Sequence, residues 1–255
     1  ARAEVQERRR LDELKDKLLS TVSHELRSPL TIIKITVGTI SSLLAGPLTA
    51  DQVKLLASAD RNIKRLTRIL NNFLDLSRLE SGRAHVDLQP TDLGRLVGEV
   101  TDDIRHAFDA KKIALSVDEA AGLPPVRVDE DLLTQALHNL LDNSLRYARA
   151  RVQIRLARAD DEVVVSVVDD GPGLPKGSQA SDLFDKFVQL ERPKGGDGYK
   201  GTGLGLAICR EILSLNDGRI WAENVEGWGA GFHFAVPVLQ PAAASSGGGY
   251  AGSKR

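Results

Sequence analysis

Two segments with apolar residues at helical spacing constrain the fold of this chain more than any other feature. Apolar side chains recur every three or four residues from Leu18 to Leu44, and again from Leu55 to Phe73. This spacing places them on one face of an α-helix, which is then buried. Residues 45–49 (Ala-Gly-Pro-Leu-Thr) interrupt the pattern, and the Thr49 side chain is suited to cap the second helix. The sequence therefore predicts a helical hairpin.

One hairpin cannot bury the apolar residues of both helices, and this predicts a partner. Two copies packed as a four-helix bundle would cover both faces, so we expect a homodimer. The second helix is expected to end near residues 80–82. Leu11, Leu14 and Leu18 extend the first apolar face backwards, which is typical of a coiled coil entering the bundle from upstream.

His24 is predicted to lie on the exposed side of the first helix. At about 100° per residue, it is roughly 160–240° away from the members of the apolar face. A neutral imidazole is a nucleophile near neutral pH. Glu25 beside it can hold or deprotonate the other ring nitrogen. A lone exposed histidine is usually solvated and has no function. A functional role for His24 and Glu25 therefore depends on motifs elsewhere in the chain.

From residue 83 onward the pattern changes to short strands that alternate with helices. Helices are predicted near residues 91–110, 130–147 and 204–215. Strand-like runs occur at residues 86–88, 113–117, 152–156, 163–168, 219–222 and 232–238. Such a mixture is typical of a two-layer α/β sandwich.

The predicted fold class is therefore α+β, with a helical hairpin followed by a two-layer sandwich. We expect residues 1–82 to form the hairpin and its incoming coiled coil, and residues 88–240 to form the second domain. Residues 241–255 are rich in Pro, Ala, Ser and Gly, which predicts a disordered tail.

The net charge and the composition of the chain limit the classes of function that it can have. The formal net charge is −1, so nucleic acid binding through bulk positive charge is not expected. A single cysteine fits a reducing compartment, and no apolar run is long enough to span a bilayer. The chain has no methionine, even at position one, which suggests a fragment. We expect this fragment to be cytoplasmic, with any membrane anchor in missing upstream segments.

Polar side chains on the helix predicted at 130–147 form the first candidate ligand-binding group. Asn139 and Asn143 are four residues apart on one face, which Arg146 and Tyr147 continue. Carboxamide oxygens can bind Mg²⁺ while their NH₂ groups donate to phosphate, and an arginine adds a bidentate donor. On its own, the pattern also fits an ordinary polar helix face.

Two glycine-rich turns form further candidate groups. Asp169 ends an apolar strand and precedes a turn containing Gly171 and Gly173. A carboxylate at the end of a buried strand can accept a hydrogen bond from an exocyclic amine. Residues 201–206 (Gly-Thr-Gly-Leu-Gly-Leu) open a helix, where backbone N–H groups and the helix dipole favour an anion.

In their order along the chain, these motifs resemble those of sensor histidine kinases. Each match is weak alone, but the family order from residue 23 to residue 206 is specific. A dinucleotide fingerprint at 196–201 follows no strand, and P-loop and protein-kinase signatures are absent from the sequence. The matching segments are residues 23–30 (H-box), 135–147 (N-box), 169–173 (G1 box), 183–187 (F-box) and 201–206 (G2 box).

The resemblance implies an ATP-dependent protein-histidine kinase of a two-component system. His24 would accept the γ-phosphoryl group, with Glu25 and Ser28 as catalytic neighbours, and would pass it to an aspartate of a response regulator receiver domain. Ser28 stands where threonine is most usual, which bears on whether the protein also has phosphatase activity. Asn143 would bind Mg²⁺, and Asp169 would read the adenine amino group of ATP.

The resemblance also implies that residues 189–200 form a lid over ATP. The further nucleotide-binding residues that it implies are Asn139, Arg146, Tyr147, Gly171, Gly173, Phe184, Phe187, Gly201, Thr202, Gly203, Leu204 and Gly205.

Two alternatives remain open at this point. The second domain could belong to another ATPase of the same fold group or to a serine-directed protein kinase, although neither needs an exposed His-Glu pair on a paired helix. The chain could also be a degenerate kinase serving as a dimeric scaffold, although intact Asn139, Asn143 and Asp169 argue against this. Asn216-Asp217, where the family often has His-Gly, has no interpretation from the sequence.

Overall fold

The computed structural model describes residues 30–40, 48–81, 84–175, 180–188 and 202–239. The predicted coiled coil, lid and tail therefore lie outside the described residues, and so do His24, Glu25, Ser28 and Gly201. In the ranges given above, no helix combines the length and the apolar character needed to cross a membrane.

Two helices open the described part of the chain. Helix α1 covers residues 30–40, and helix α2 covers Ala50–Glu80, ending where the sequence predicted. The predicted cap is confirmed as a capping box. The Gln52 N–H donates to Thr49 Oγ1 (3.3 Å), and the Thr49 N–H donates to Gln52 Oε1 (2.9 Å).

Apolar side chains on both helices are exposed in the single chain. Leu55 is 71% exposed and Leu66 is 51% exposed, although both belong to the predicted apolar face of α2. In α1, Ile33, which belongs to the predicted apolar face, is 48% exposed, whereas Ile35, which lies off that face, is 62% exposed. The described residues of one chain therefore leave much of this apolar surface uncovered.

The second half of the chain forms a mixed sheet covered by three helices. In chain order the elements are β1 (Gln89–Thr91), α3 (Leu93–Ala110), β2 (Ala114–Glu119), β3 (Val126–Val128), α4 (Glu130–Tyr147), β4 (Arg151–Ala159), β5 (Glu162–Asp169), a 3₁₀ turn (Ala180–Phe184), α5 (Gly205–Leu215), β6 (Arg219–Asn224) and β7 (Ala230–Pro237). In the sheet, β2 is parallel to β4 and the other neighbours are antiparallel, in the order β2-β4-β5-β7-β6. Strands β1 and β3 form a separate antiparallel pair.

The hydrophobic core lies between the sheet and helices α3, α4 and α5. Alternate residues of β5, namely Val163, Val165 and Val167, are fully buried on the face toward the helices. The strand register places Val165 opposite Leu156 of β4 and Phe234 of β7, so an apolar row crosses the sheet. The predicted two-layer sandwich is confirmed.

One strand prediction at the start of this region is wrong, and one strand was not predicted. Residues 86–88 were expected to form a strand, but β1 lies three residues later because it pairs with β3. The Asp87 N–H instead donates to the Asp129 carboxylate (2.9 Å). Strand β3 was not predicted, since three residues are too few for a periodic signal. Short strands are defined by their partner rather than by local propensity.

The last two turns of α2 pack directly against the sandwich. Leu76 and Leu79 are 3% and 6% exposed and belong to the same core as the sandwich residues. Polar contacts extend this interface at both ends. Gln135 Nε2 donates to Asp75 Oδ2 (3.0 Å), and Lys186 forms an ion pair of 2.6 Å with Glu80.

Candidate functional site

Helix α4 carries the polar residues of the candidate site. The Asp129 side chain caps α4 by accepting a hydrogen bond from the Leu132 N–H (3.0 Å). Four leucines of the helix are buried, and Asn139 and Asn143 are half-buried. With a rise of about 1.5 Å per residue, the two asparagines lie about 6 Å apart along the axis. The site therefore extends along one side of α4.

The glycine turn that begins α5 lies against the first asparagine. A Cβ placed on Gly205 would lie 3.7 Å from Asn139 Oδ1. Gly203 has φ 71°, a left-handed conformation that glycine adopts without strain. A Cβ there would lie 2.7 Å from the backbone of Phe187, whose N–H donates to the Gly203 oxygen (2.8 Å). The structure thus brings the predicted N-box, F-box and G2 residues together.

The beginning of α5 is suited to an anion. Within the described ranges, no side chain caps this helix. Its first-turn N–H groups have no acceptor inside the helix, and the helix dipole adds positive potential there. Because Asn139 lies beside this helix terminus, an anion here would also have a carboxamide within reach.

Asp169 defines the opposite end of the site. It ends β5, is 1% exposed, and accepts a hydrogen bond from the Gly171 N–H (2.8 Å). Burial raises the pKa of Asp169, and hydrogen bonds from the backbone of Gly171 and Ala230 oppose this rise. A Cβ on Gly171 would lie 2.7 Å from the carbonyl oxygen of Tyr147, so the end of α4 meets this turn.

The neighbouring carboxylate, Asp170, has a different role. It accepts hydrogen bonds from the N–H groups of Arg149 (2.8 Å) and Ala150 (3.1 Å), and so fixes the turn that follows α4. Partial burial acts to raise its pKa, but backbone hydrogen bonds from Ala150 and Arg149 outweigh it and hold the pKa below the usual range.

A carboxylate has about four acceptor positions. Asp169, with two backbone donors, keeps acceptor capacity for a ligand.

Some predicted site residues lie beneath the site or at its edge. The side chains of Phe184 (3% exposed) and Leu204 (fully buried) belong to the hydrophobic core, so they can support the site only from below. Phe187 is 61% exposed and has φ 64°, a strained conformation for a bulky residue. Arg146 is half-buried, and Tyr147 is 36% exposed at the end of α4.

Asn224 holds the turn that contains Gly173, and sequence analysis did not identify it. Its Oδ1 accepts a hydrogen bond from the Leu174 N–H (2.6 Å), and its Nδ2 donates to the Leu174 oxygen (3.0 Å). A Cβ on Gly173 would lie 2.5 Å from the same Oδ1, so the contact requires glycine there. Nothing local in the sequence of β6 distinguishes Asn224 from an ordinary strand-end residue.

Asn216 links the two helices of the site, which gives the uninterpreted Asn216-Asp217 pair a structural meaning. It is 1% exposed, its Oδ1 accepts from the Asp129 N–H (2.6 Å), and its Nδ2 donates to the Ile212 oxygen (2.8 Å). The end of α5 is therefore tied to the cap of α4. The available sequence signal was an asparagine directly after the apolar residues of the predicted helix, where a buried carboxamide must find partners.

The donor set at the site is poor in metal ligands. Throughout the parts of the chain that the structure describes, no cluster of three or more His, Cys, Asp or Glu side chains could hold a metal ion. Asn139 and Asn143 supply neutral carboxamide oxygens only. This set fits a hard cation such as Mg²⁺ that takes most of its ligands from phosphate and water, because Mg²⁺ usually keeps several waters.

Comparison with known proteins agrees with this geometry. Residues 14–82 match the His Kinase A (phospho-acceptor) domain, and residues 128–240 match the family described as histidine kinase-, DNA gyrase B- and HSP90-like ATPase. The adaptive-response sensory kinase SasA of Synechocystis sp. is 34% identical over 89% of this chain and 60% of its own length. The alginate biosynthesis sensor protein KinB of Pseudomonas aeruginosa is 31% identical over 92% of this chain and 39% of its own.

Two solved structures extend the likeness to three dimensions. Full-length ShkA in complex with AMPPNP superimposes with a TM-score of 0.72 at 27% identity, over 89% of this chain and 47% of that one. The histidine kinase AdeS of Acinetobacter baumannii gives a TM-score of 0.58 at 25% identity, over 85% of this chain and 98% of that one.

The chain belongs to the sensor histidine kinase family and contains the phospho-acceptor and ATPase domains that define its catalytic core. This confirms the resemblance drawn from the motifs. The chain spans 60% of the length of the SasA relatives from Synechocystis sp. and Crocosphaera subtropica.

Proposed function

We propose that this chain transfers the γ-phosphoryl group of ATP to His24 and then to an aspartate of a response regulator receiver domain. One observation carries the ATP part of the proposal. The turn after Asp169 meets one end of α4 at Tyr147, and the glycine turn of α5 meets the same helix at Asn139. The residues expected to read adenine and phosphate therefore lie at two ends of the site, one at the C-terminal end of α4 and the other near the middle of that helix.

The chemistry of each end supports a nucleotide. Asp169 is a buried acceptor suited to the exocyclic amine of adenine, while the α5 terminus is suited to phosphate. Arg146, next to Tyr147 at the end of α4, is proposed to reach a phosphate with its long side chain. Asn143, between the two ends, is proposed to hold Mg²⁺ together with phosphate oxygens and water. When bound, Mg²⁺ would neutralise part of the phosphate charge.

His24 supplies the acceptor nitrogen in this proposal. The bond between the γ-phosphorus and its bridging oxygen breaks, a phosphorus–nitrogen bond forms on the imidazole, and ADP leaves. Glu25 would take up or hold the proton on the other ring nitrogen. The second transfer breaks the phosphorus–nitrogen bond and forms an acyl phosphate on the regulator. Ser28, four residues after His24 in the sequence, is proposed to face the same reaction space, which also bears on phosphatase activity.

We also propose that the protein acts as a homodimer through residues 11–80. Apolar side chains of α1 and α2, including Ile33, Leu55 and Leu66, are exposed in the single chain. A second copy of the hairpin would cover them by forming a four-helix bundle. The proposed domain limits are residues 1–82 for the phosphotransfer hairpin and 88–240 for the ATP-binding domain.

ADP release tests this function against the two alternatives. With Mg²⁺-ATP in excess, wild-type protein should release a burst of about one ADP per phosphorylated chain, and His24→Gln should bind ATP but give no burst. A burst that persists in His24→Gln would instead indicate an ATPase without histidine transfer. ATP binding with no burst in wild type would indicate a scaffold.

A further inference from the structure

The hydroxyl of Thr202 receives two hydrogen bonds from opposite sides. The Leu204 N–H donates to Thr202 Oγ1 at 3.1 Å, within the glycine turn itself. The Asn72 side chain of α2 donates to the same oxygen at 3.2 Å, although the two residues are 130 positions apart. Thr202 thus joins the phosphotransfer hairpin to the turn that begins α5.

A hydroxyl group has two acceptor lone pairs and one proton. The Leu204 N–H and the Asn72 amide occupy both lone pairs of Thr202. The proton of the hydroxyl cannot point at either donor, so it must be donated in a third direction. Thr202 lies two residues before the helix terminus proposed to hold phosphate, where an anionic oxygen would accept that proton.

We propose that Asn72 is a positioning residue of the nucleotide site, which acts by fixing the Thr202 hydroxyl as a donor to phosphate. This inference rests on the proposed ATP-binding function. It adds that α2 completes the site, so that the hairpin contributes to ATP binding as well as accepting the phosphoryl group.

The neighbouring contacts keep Asn72 in place. Asp75 is three residues later on the same side of α2 and accepts a hydrogen bond from Gln135 at 3.0 Å. Glu80 pairs with Lys186 at 2.6 Å, and Leu76 and Leu79 are buried in the shared core. With the helix held at these points, the Asn72 amide has a fixed direction toward Thr202.

The test measures ATP and adenosine affinity of the full chain by calorimetric titration in the presence of Mg²⁺. Asn72→Ala removes one donor, and the expected result is about 3- to 10-fold weaker ATP binding, as for one neutral hydrogen bond. Asn72→Asp should weaken ATP binding more, because its carboxylate would accept the Thr202 proton and repel phosphate. Adenosine carries no phosphate, so its affinity should be unchanged in both variants.

A double-mutant cycle tests whether the effect passes through Thr202. In a Thr202→Val background, Asn72→Ala should have no further effect on ATP affinity. Thr202→Ser keeps the hydroxyl and should preserve the effect of Asn72→Ala. Asn62→Asp is the matched control on α2, since the Asn62 amide donates to its own helix at the Ser58 oxygen (2.9 Å). It should bind ATP like wild type.

Several outcomes would overturn the inference. ATP affinity unchanged or raised in Asn72→Asp would show that Thr202 does not donate to phosphate, or that α2 competes with the nucleotide. An equal loss in Asp75→Ala would show that docking of α2 matters and the direction of the hydroxyl does not. Failure of the wild-type protein to bind ATP would instead overturn the proposed function.

Discussion

Replacing Asp169 by asparagine exchanges one acceptor oxygen for an NH₂ group at the proposed adenine contact. The asparagine can still accept the hydrogen bond from the Gly171 N–H, so the turn should keep its structure. Its NH₂ group would then face the adenine amine, donor against donor. A polar group left unpaired in this way costs about 1–3 kcal/mol, or about 5- to 140-fold in the dissociation constant of ATP.

Thermal stability should respond differently to the same change. Asp169 is 1% exposed and burial raises its pKa, so its charged form is disfavoured in the folded protein. The neutral asparagine avoids this cost, and Asp169→Asn should melt no earlier than wild type at pH 8. The preference for ATP over GTP should fall, because that preference depends on the carboxylate accepting from the adenine amine.

Asp170→Asn is the matched control, one residue along the chain. The Asp170 carboxylate accepts hydrogen bonds from two backbone N–H groups, and each bond to a charged group contributes about 1.5–3 kcal/mol. Loss of about 1.5 kcal/mol of unfolding free energy should lower the melting temperature by about 3–6 °C. The ATP preference should remain. Calorimetric titration and thermal denaturation of both variants check these predictions. A lost ATP preference in Asp170→Asn together with a lowered melting temperature in Asp169→Asn would refute the roles given to the two carboxylates.

Three further predictions concern the backbone conformation of Asp217, the pKa of Asp169 and the proposed dimer. Asp217 has φ 53°, a left-handed conformation that costs free energy for residues other than glycine. Asp217→Gly should therefore stabilise the protein by about 0.5–1 kcal/mol in thermal denaturation. A loss of stability would show that Asp217 is not strained. Because the pKa of Asp169 is raised, adenosine affinity should fall as the pH drops through that raised value, at a higher pH than for an ordinary aspartate, while Asp169→Asn should show a flatter profile. In the full chain, Leu55→Glu combined with Leu66→Glu should halve the mass found by light scattering without lowering the ATP affinity, and an unchanged mass would argue against the proposed bundle.

Local signals predicted the helices of the sandwich well. Helix α4 runs from Glu130 to Tyr147 as predicted, because its cap at Asp129 and its buried leucines are all encoded within one stretch. The same helical periodicity predicted that Asn139 and Asn143 lie on one face of α4. The central strands were likewise recognisable, since β5 presents alternate buried valines at positions 163, 165 and 167.

Contacts between distant segments could not be predicted in the same way. The pairing of β1 with β3 depends on residues that are far apart in the chain, and neither strand has a clear period. Asn72 and Thr202 are 130 positions apart, and each looks like an ordinary polar residue in its own segment. Asn216 could be recognised as unusual, but its partner at Asp129 became evident only from the fold.

The most direct test of the account is the site and chemistry of phosphorylation. The protein is incubated with γ-labelled ATP and Mg²⁺, and the labelled chain is then treated with acid or with base. A phosphoramidate on His24 should lose the label in acid and keep it in base, and His24→Gln should take up no label while still binding ATP. Full labelling of His24→Gln, or a label stable in acid, would contradict the account.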